Sequence, residues 1–305
     1  MRLAFRDGIS LLGTFPNEDR YGFNDHAAWI IDGATDLIED KRYPGPSDAA
    51  WFAQALNDEI GQALITPSYD LKNLVDRLSQ SMASRFEVEA VLPVTEAFQK
   101  PSAAGAILQL TGTQLRAIGL GDCTILRLCA CRQLHAPRSA AVQKIIGPET
   151  ADEDVRAEVA KLQRSTKEDQ VKECSSRAPA EQEPTPEKIR QDLMPFLRAS
   201  RAQMNKPDGY GIFSIDATPP HFIEKSECEV ISGDQFLLAT DGFMRLVDVF
   251  QLYNLTDLVS AIQTHGIARL IDELRNHETN DATCHNEPRA KCHDDATAVL
   301  LEVTA

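Results

Sequence analysis

The feature that most constrains this chain is an apolar strand pattern that runs out into a carboxylate. In His26-Ala27-Ala28-Trp29-Ile30-Ile31-Asp32-Gly33-Ala34-Thr35, a short run rich in β-formers lies between the polar Asn24-Asp25-His26 and a glycine. An Asp at the mouth of such a strand is held rigidly, and Gly33 lets the backbone turn sharply and bring its carbonyl near whatever the carboxylate binds. The same device recurs in Asp234-Gln235-Phe236-Leu237-Leu238-Ala239-Thr240-Asp241-Gly242. Asp122 stands at a turn, Gly121-Asp122-Cys123, and the last strand starts at Asp294-Asp295. The start of one antiparallel strand shares a rim with the end of its neighbour, so Asp294 is expected to face Asp241 and Asp32.

Around these motifs the hydrophobic period changes in blocks. Residues 1–40 read as two or three strands linked by Pro16-Asn17-Glu18-Asp19-Arg20. After Pro46-Ser47, Phe52, Leu56, Ile60 and Leu64 recur every four residues as an amphipathic helix, and Leu71, Leu74, Val75, Leu78 and Met82 mark a second. Three runs, 106–110, 115–120 and 124–128, read as an antiparallel meander. The polar stretch 136–206, with Ala178-Pro179-Ala180-Glu181-Gln182-Glu183-Pro184-Thr185-Pro186 inside it, reads as an insertion of two helices joined by a Pro-Glu linker. Beyond it come strands at 211–215 and 236–239, helix over 254–278 with a break at Gly266, and a terminal strand from Asp294. At 305 residues this makes one domain, 1–305, with an insertion at about 136–206.

Charge and cysteine usage narrow the function. The net charge of −15 carries no Lys/Arg run, which argues against nucleic acid and anionic membranes as partners. No signal-peptide pattern and no run of 18 apolar residues are seen, so the expectation is a cytoplasmic protein without membrane insertion. Seven scattered cysteines do not resemble a secreted disulfide framework.

A single Asp-Gly at a strand end is ordinary turn chemistry. Asp19, Asp32, Asp122, Asp241 and Asp294 together are a different matter, because so many like charges on one rim repel unless cations neutralise them. Oxygen-only ligands suit magnesium or manganese.

The motifs Asn17-Glu18-Asp19, Asp32-Gly33-Ala34-Thr35, Gly121-Asp122-Cys123, Ala239-Thr240-Asp241-Gly242-Phe243 and Asp294-Asp295-Ala296-Thr297-Ala298-Val299 resemble, in order and context, those of the metal-dependent, type 2C serine/threonine protein phosphatases of bacterial type. The resemblance spans about residues 10 to 303 and covers the insertion least. It implies an α+β fold, a four-layer α-β-β-α sandwich of two antiparallel sheets flanked by helices. It also implies an Mg/Mn-dependent enzyme removing phosphate from phosphoserine or phosphothreonine of proteins, and a signalling partner kinase. By the same resemblance, Asp32 would bridge two metals with the Gly33 carbonyl on one, and Asp241 and Asp294 would hold the other. Glu18 and Asp19 would act through waters, and Asp122 with Asp241 would hold a weaker third ion.

Two positions depart from that pattern. Thr14 stands where many members carry a phosphate-gripping Arg, which leaves Arg20 as the substitute from sequence. Ala34 stands where eukaryotic members often have a His, as in many bacterial relatives. Cys284-His285 and Cys292-His293 are four soft donors without the Cys-x-x-Cys spacing of zinc sites, and a polar loop explains them as well. Two alternatives stay open: a catalytically silent sensor or adaptor that keeps the fold, and a phosphatase of small phosphate esters.

Overall fold

The computed structural model describes residues 1–13, 16–66, 69–130, 142–148, 154–162 and 186–305. Thr14, Cys131, His135, Cys174 and the Pro-Glu linker up to Thr185 lie outside them.

Strand β3 (Ala27–Gly33) shows how the layers form. Its side chains alternate between two apolar surroundings. Ala28 and Ile30 face one core with Leu108, Phe236, Leu238, Val299 and Leu301, whereas Trp29 and Ile31 face another with Phe52, Leu56, Ile60, Leu78 and Met82. A strand covered on both faces has to be apolar throughout, which is the run seen in the sequence. Strand β10 (Gln235–Ala239) does the same on the other side, with Phe236 and Leu238 turned to the central core and Leu237 and Ala239 to the helices.

Two antiparallel sheets result. One has the order β1-β11-β10-β6-β7, where β1 is Arg2–Leu11, β6 Thr124–Leu128, β7 Val142–Ile146 and β11 Ala296–Thr304. The other runs β2-β3-β4-β5-β9, where β2 is Asp19–Phe23, β4 Ser102–Thr111, β5 Gln114–Leu120 and β9 Glu224–Glu229; the two-residue β8 (Phe213–Ser214) pairs with β4. Helices α1 (Asp48–Ala63) and α2 (Leu74–Glu89) cover the outer face of the second sheet. Helices α5 (Asp241–Asp248), α6 (Leu255–His265) and α7 (Ile267–Asn280) cover the first. This is the expected α-β-β-α sandwich. Helix α1 starts where the sequence placed it, because the Ser47 hydroxyl accepts from the Ala50 backbone N–H. Gly266 divides α6 from α7 at φ +80°, a conformation that favours glycine. No helix among the described residues is long and apolar enough to cross a membrane.

Several elements differ from the sequence reading. The three-stranded meander is split: β4 and β5 pair with each other, but β6 crosses to the other sheet and pairs with β10, Leu126 opposite Leu237. The crossing is made at Gly121, which sits at φ +83° and so close to Ala104 that a Cβ there would lie 2.5 Å from the Ala104 Cβ. Residues 142–146, read as part of a helical insertion, form β7 at the edge of the first sheet. Helices at 154–162 (α3) and Pro186–Arg201 (α4) follow it and pack on each other through Val159, Ile189 and Leu193. The expected strand at 211–215 shrinks to β8, and β9 was not expected, because an exposed edge of sequence Glu-Lys-Ser-Glu-Cys-Glu carries no apolar alternation.

Phe236 is fully buried between the sheets. Phe236→Ala is therefore expected to lower unfolding free energy by about 3–5 kcal/mol in urea titration without changing the far-UV spectrum of the folded state.

Candidate active site

The carboxylate motifs converge on the rim where β3, β5, β10 and β11 begin or end. Asp19 and Asp32 are directly opposite each other in the β2–β3 ladder. Like charges in that relation destabilise a sheet, so sequence economy does not explain them. Asp19 is 2% exposed; its Oδ2 accepts from the Thr240 hydroxyl at 3.0 Å, and its Oδ1 has no hydrogen-bond partner. Burial pushes the Asp19 carboxyl well up from its ordinary range, with Asp295, Asp241 and Asp294 adding to the effect. Burial likewise raises Asp32, reinforced by Asp19, Asp241 and Asp122.

Each neighbour is placed by its local backbone. Asp241 is the first residue of α5 behind the N-cap Thr240, whose N–H donates to the Thr297 carbonyl at 3.0 Å. Gly242 is required there, because a Cβ would fall 1.9 Å from the Asp295 carbonyl oxygen. Gly33 is fixed by its N–H to the Glu18 carbonyl at 3.2 Å, and a Cβ would lie 2.8 Å from that same oxygen. Asp122 lines the cavity at the turn behind Gly121, with the buried Cys123 beneath it. Burial and the surrounding carboxylates push the Cys123 thiol well up, so it is no nucleophile here.

Two expected ligands are engaged elsewhere. Glu18 is buried and accepts from the Ser47 hydroxyl at 2.7 Å and the Thr35 hydroxyl at 2.5 Å, tying the rim to the start of α1. Asp294 accepts from the Lys291 ammonium at 2.6 Å through Oδ1 and from the Arg245 guanidinium at 2.8 Å through Oδ2. Burial opposes ionisation of Asp294, but Lys291 and Arg245 outweigh it and hold its carboxyl down to about 2. Arg245 also donates to the fully buried Glu278 at 2.9 Å, and Arg275 braces Glu278 at 2.5 Å.

Arg20, the phosphate ligand expected from sequence, does not line the cavity. Its guanidinium is spent on the Gln54 side chain at 2.7 Å and on the carbonyls of Asn17 and Asp19 at 3.0 and 2.6 Å. Its place on β2 faces α1, so it serves as a turn clamp. The cavity is walled instead by Arg156 of α3 and by Arg190 and Arg201 of α4, opposite Asp32, Asp122, Asp241 and Asp294. Arg201 donates to the Thr35 carbonyl at 3.1 Å, Arg198 to the Leu37 carbonyl at 2.9 Å and Arg156 to the Asp248 carbonyl at 2.8 Å, which fastens the two helices over the rim. Arg190 lines the cavity and makes no hydrogen bond or ion pair among the described residues. None of these arginines carries a local sequence signal. Arg245 did carry one, since it stands one helical turn after Asp241.

A divalent cation suits part of this arrangement. Asp19, Asp32 and Asp241 are oxygen donors crowded together, with Lys291 acting on Asp32 and Arg245 on Asp241 from the β11 side, and the buried Asp19 Oδ1 has no hydrogen-bond partner. Asp294 fits less well, since both its oxygens are already neutralised. Among the described residues no three His, Cys, Asp or Glu side chains already stand at the spacing of a ligand set. The Cys284 and Cys292 sulfurs lie 2.8 Å apart in a loop closed around Asp281 and Arg289, and they form no such set either.

No family model and no curated protein sequence matches the chain. Among solved structures it is similar to the Mycobacterium tuberculosis serine/threonine phosphatase PstP/Ppp, at 14% identity, with 100% of both chains covered and a TM-score of 0.56. It is similar to the PstP catalytic domain in complex with two manganese ions, at 14% identity over 100% of this chain and 99% of that one, with a TM-score of 0.55. It is also similar to PppA of Pseudomonas aeruginosa, at 13% identity over 99% and 97% of the chains, with a TM-score of 0.51. The chain has the fold of the bacterial type 2C serine/threonine phosphatases.

With no divalent cation beside it, the Asp32 carboxyl is a liability to folding. Its folded carboxyl is raised, so the stability cost is absent below the unfolded carboxylate range near 4 and grows as pH rises above it. In chelator, Asp32→Asn should therefore melt above wild type at pH 8, and the difference should vanish near pH 4. A mutant melting below wild type at pH 8 would assign Asp32 to turn structure.

Proposed function

We propose that the protein is an Mg2+- or Mn2+-dependent phosphomonoester hydrolase acting on phosphoserine and phosphothreonine in proteins. The observation that carries this reading is a single cavity with carboxylates on one wall and flap arginines on the other, set in a type 2C phosphatase fold. Asp32 and Asp241, with Gly33 beside them, would hold a hard cation, which would supply charge neutralisation and an acidified water at neutral pH. Asp19 orients that region through Thr240, and Asp122 guards its far side. Arg190 is placed to grip phosphate oxygens, for which a guanidinium fork is well shaped. Among the described residues no histidine lines the cavity, and the leaving hydroxyl would take its proton from water. Helices α3 and α4 frame the entrance and so contribute to the choice of phosphoprotein over small ester. A serine/threonine kinase is the natural source of such a substrate.

A second reading is a silent sensor or adaptor, favoured by the neutralised state of Asp294. Turnover separates the two. With manganese, hydrolysis of p-nitrophenyl phosphate and of a phosphothreonine peptide is expected, with Asp241→Asn as the blank. Asp32→Asn should lose about a thousandfold in rate, roughly 4 kcal/mol of barrier. Wild-type turnover no greater than the Asp241→Asn blank, with metal bound, would select the adaptor.

Arg190 has a separate signature. Arg190→Ala should raise KM for the phosphopeptide about tenfold, as expected for loss of a charged hydrogen bond worth roughly 1.5 kcal/mol, while kcat changes less. A fall in kcat at unchanged KM would remove Arg190 from phosphate binding.

A further inference from the structure

The rim is electrostatically lopsided. On the side of β2 and β3, Asp19, Asp32 and Asp241 crowd together, and the Asp19 Oδ1, on a residue 2% exposed, has no partner. On the side of β11 nothing is left over. Lys291 Nζ lies 2.6 Å from Asp294 Oδ1, and Arg245 Nη2 lies 2.8 Å from Asp294 Oδ2. The segment cannot easily turn Asp294 away from them, because Arg275 donates to the Asp294 carbonyl at 2.7 Å and Arg245 to the Lys291 carbonyl at 3.3 Å. Lys291 also lines the cavity, so its ammonium occupies the side of the rim on which Asp294 would have to coordinate.

We propose that Lys291 stands in for one of the two divalent cations that a two-ion centre on this rim would need. The site then takes one ion, held by Asp32 and Asp241 with Asp122 beside them and Asp19 buried behind, and Asp294 is the partner of Lys291 rather than a metal ligand. A divalent ion on Asp294 Oδ1 would compete with the ammonium for the same lone pairs and be repelled by it at short range. A lysine charge is fixed, always present and bound to the chain, whereas a metal site on this rim depends on supply. Two residues of loop, Cys292 and His293, separate Lys291 from Asp294, which lets the side chain fold back over its partner. The inference rests on the cation-dependent reading of the rim.

The test is a count of bound ions. Chelator-stripped full-length protein is titrated with Mn2+ by calorimetry, with the free ion followed by electron paramagnetic resonance. Wild type is expected to bind one Mn2+, Lys291→Met two, and Lys291→Arg, which keeps a cation, one. Two ions of comparable affinity in wild type, no ion at all, or a Lys291→Met protein that still takes one would each overturn the proposal. Should Lys291→Met fail to fold, wild type and Lys291→Arg decide, two ions in either being the contrary result. One ion without turnover would sink the phosphatase reading and leave this inference standing; two ions with turnover would do the reverse.

Discussion

The structure turns on the opposition of Asp19 and Asp32 across the β2–β3 ladder, with Asp241 close by. Nothing in sheet chemistry rewards two facing carboxylates, and both are pushed toward the protonated form by burial, with Asp241 adding to both and Asp19 adding to Asp32. The rest of the rim is arranged to hold them there regardless. Gly33 and Gly242 let backbones approach where any Cβ would collide, and Thr240 links β10 to Asp19 and to Thr297 through one hydroxyl. The sandwich supplies the rigidity, since the strands that end at the rim are apolar on both faces.

On the opposite side, positive charge is built into the protein. Arg245, Arg275 and Glu278 form a buried network beneath Asp294, and Lys291 closes it from above. Such a network is poor evidence of stability in itself, because desolvation offsets much of its Coulombic gain. Its consequence is positional: it holds the Asp294 segment in one arrangement and keeps its carboxylate ionised at every ordinary pH. One rim thus contains a crowded carboxylate cluster and, beside it, a carboxylate that is paired with two cationic side chains.

Much of this was legible in the chain. The Asp-Gly motifs mark strand ends because a two-faced buried strand must be apolar along its length and can admit a carboxylate only where it leaves the core, as β3 does at Asp32. The helical period of Phe52, Leu56 and Ile60 and the cap at Ser47 are local signals, and they placed α1 correctly. Arg20 was misread for the same reason, since proximity in sequence to Asp19 suggested the site, whereas alternation on β2 turns its guanidinium toward α1 and Gln54. The meander was misread because strand pattern does not name a partner; only packing sends β6 to β10 instead of β5.

By itself, the sequence determined the elements, the layered class of the fold and the carboxylates that the rim would gather, because these follow from periodicity and from what a strand can bury. Only the tertiary structure decided which positive charges meet them. The arginines of α3 and α4 reach the cavity from helices distant in sequence, and Arg245, though one turn after Asp241, spends its charge on Asp294 and Glu278, because an ion pair depends on separation in space rather than in sequence.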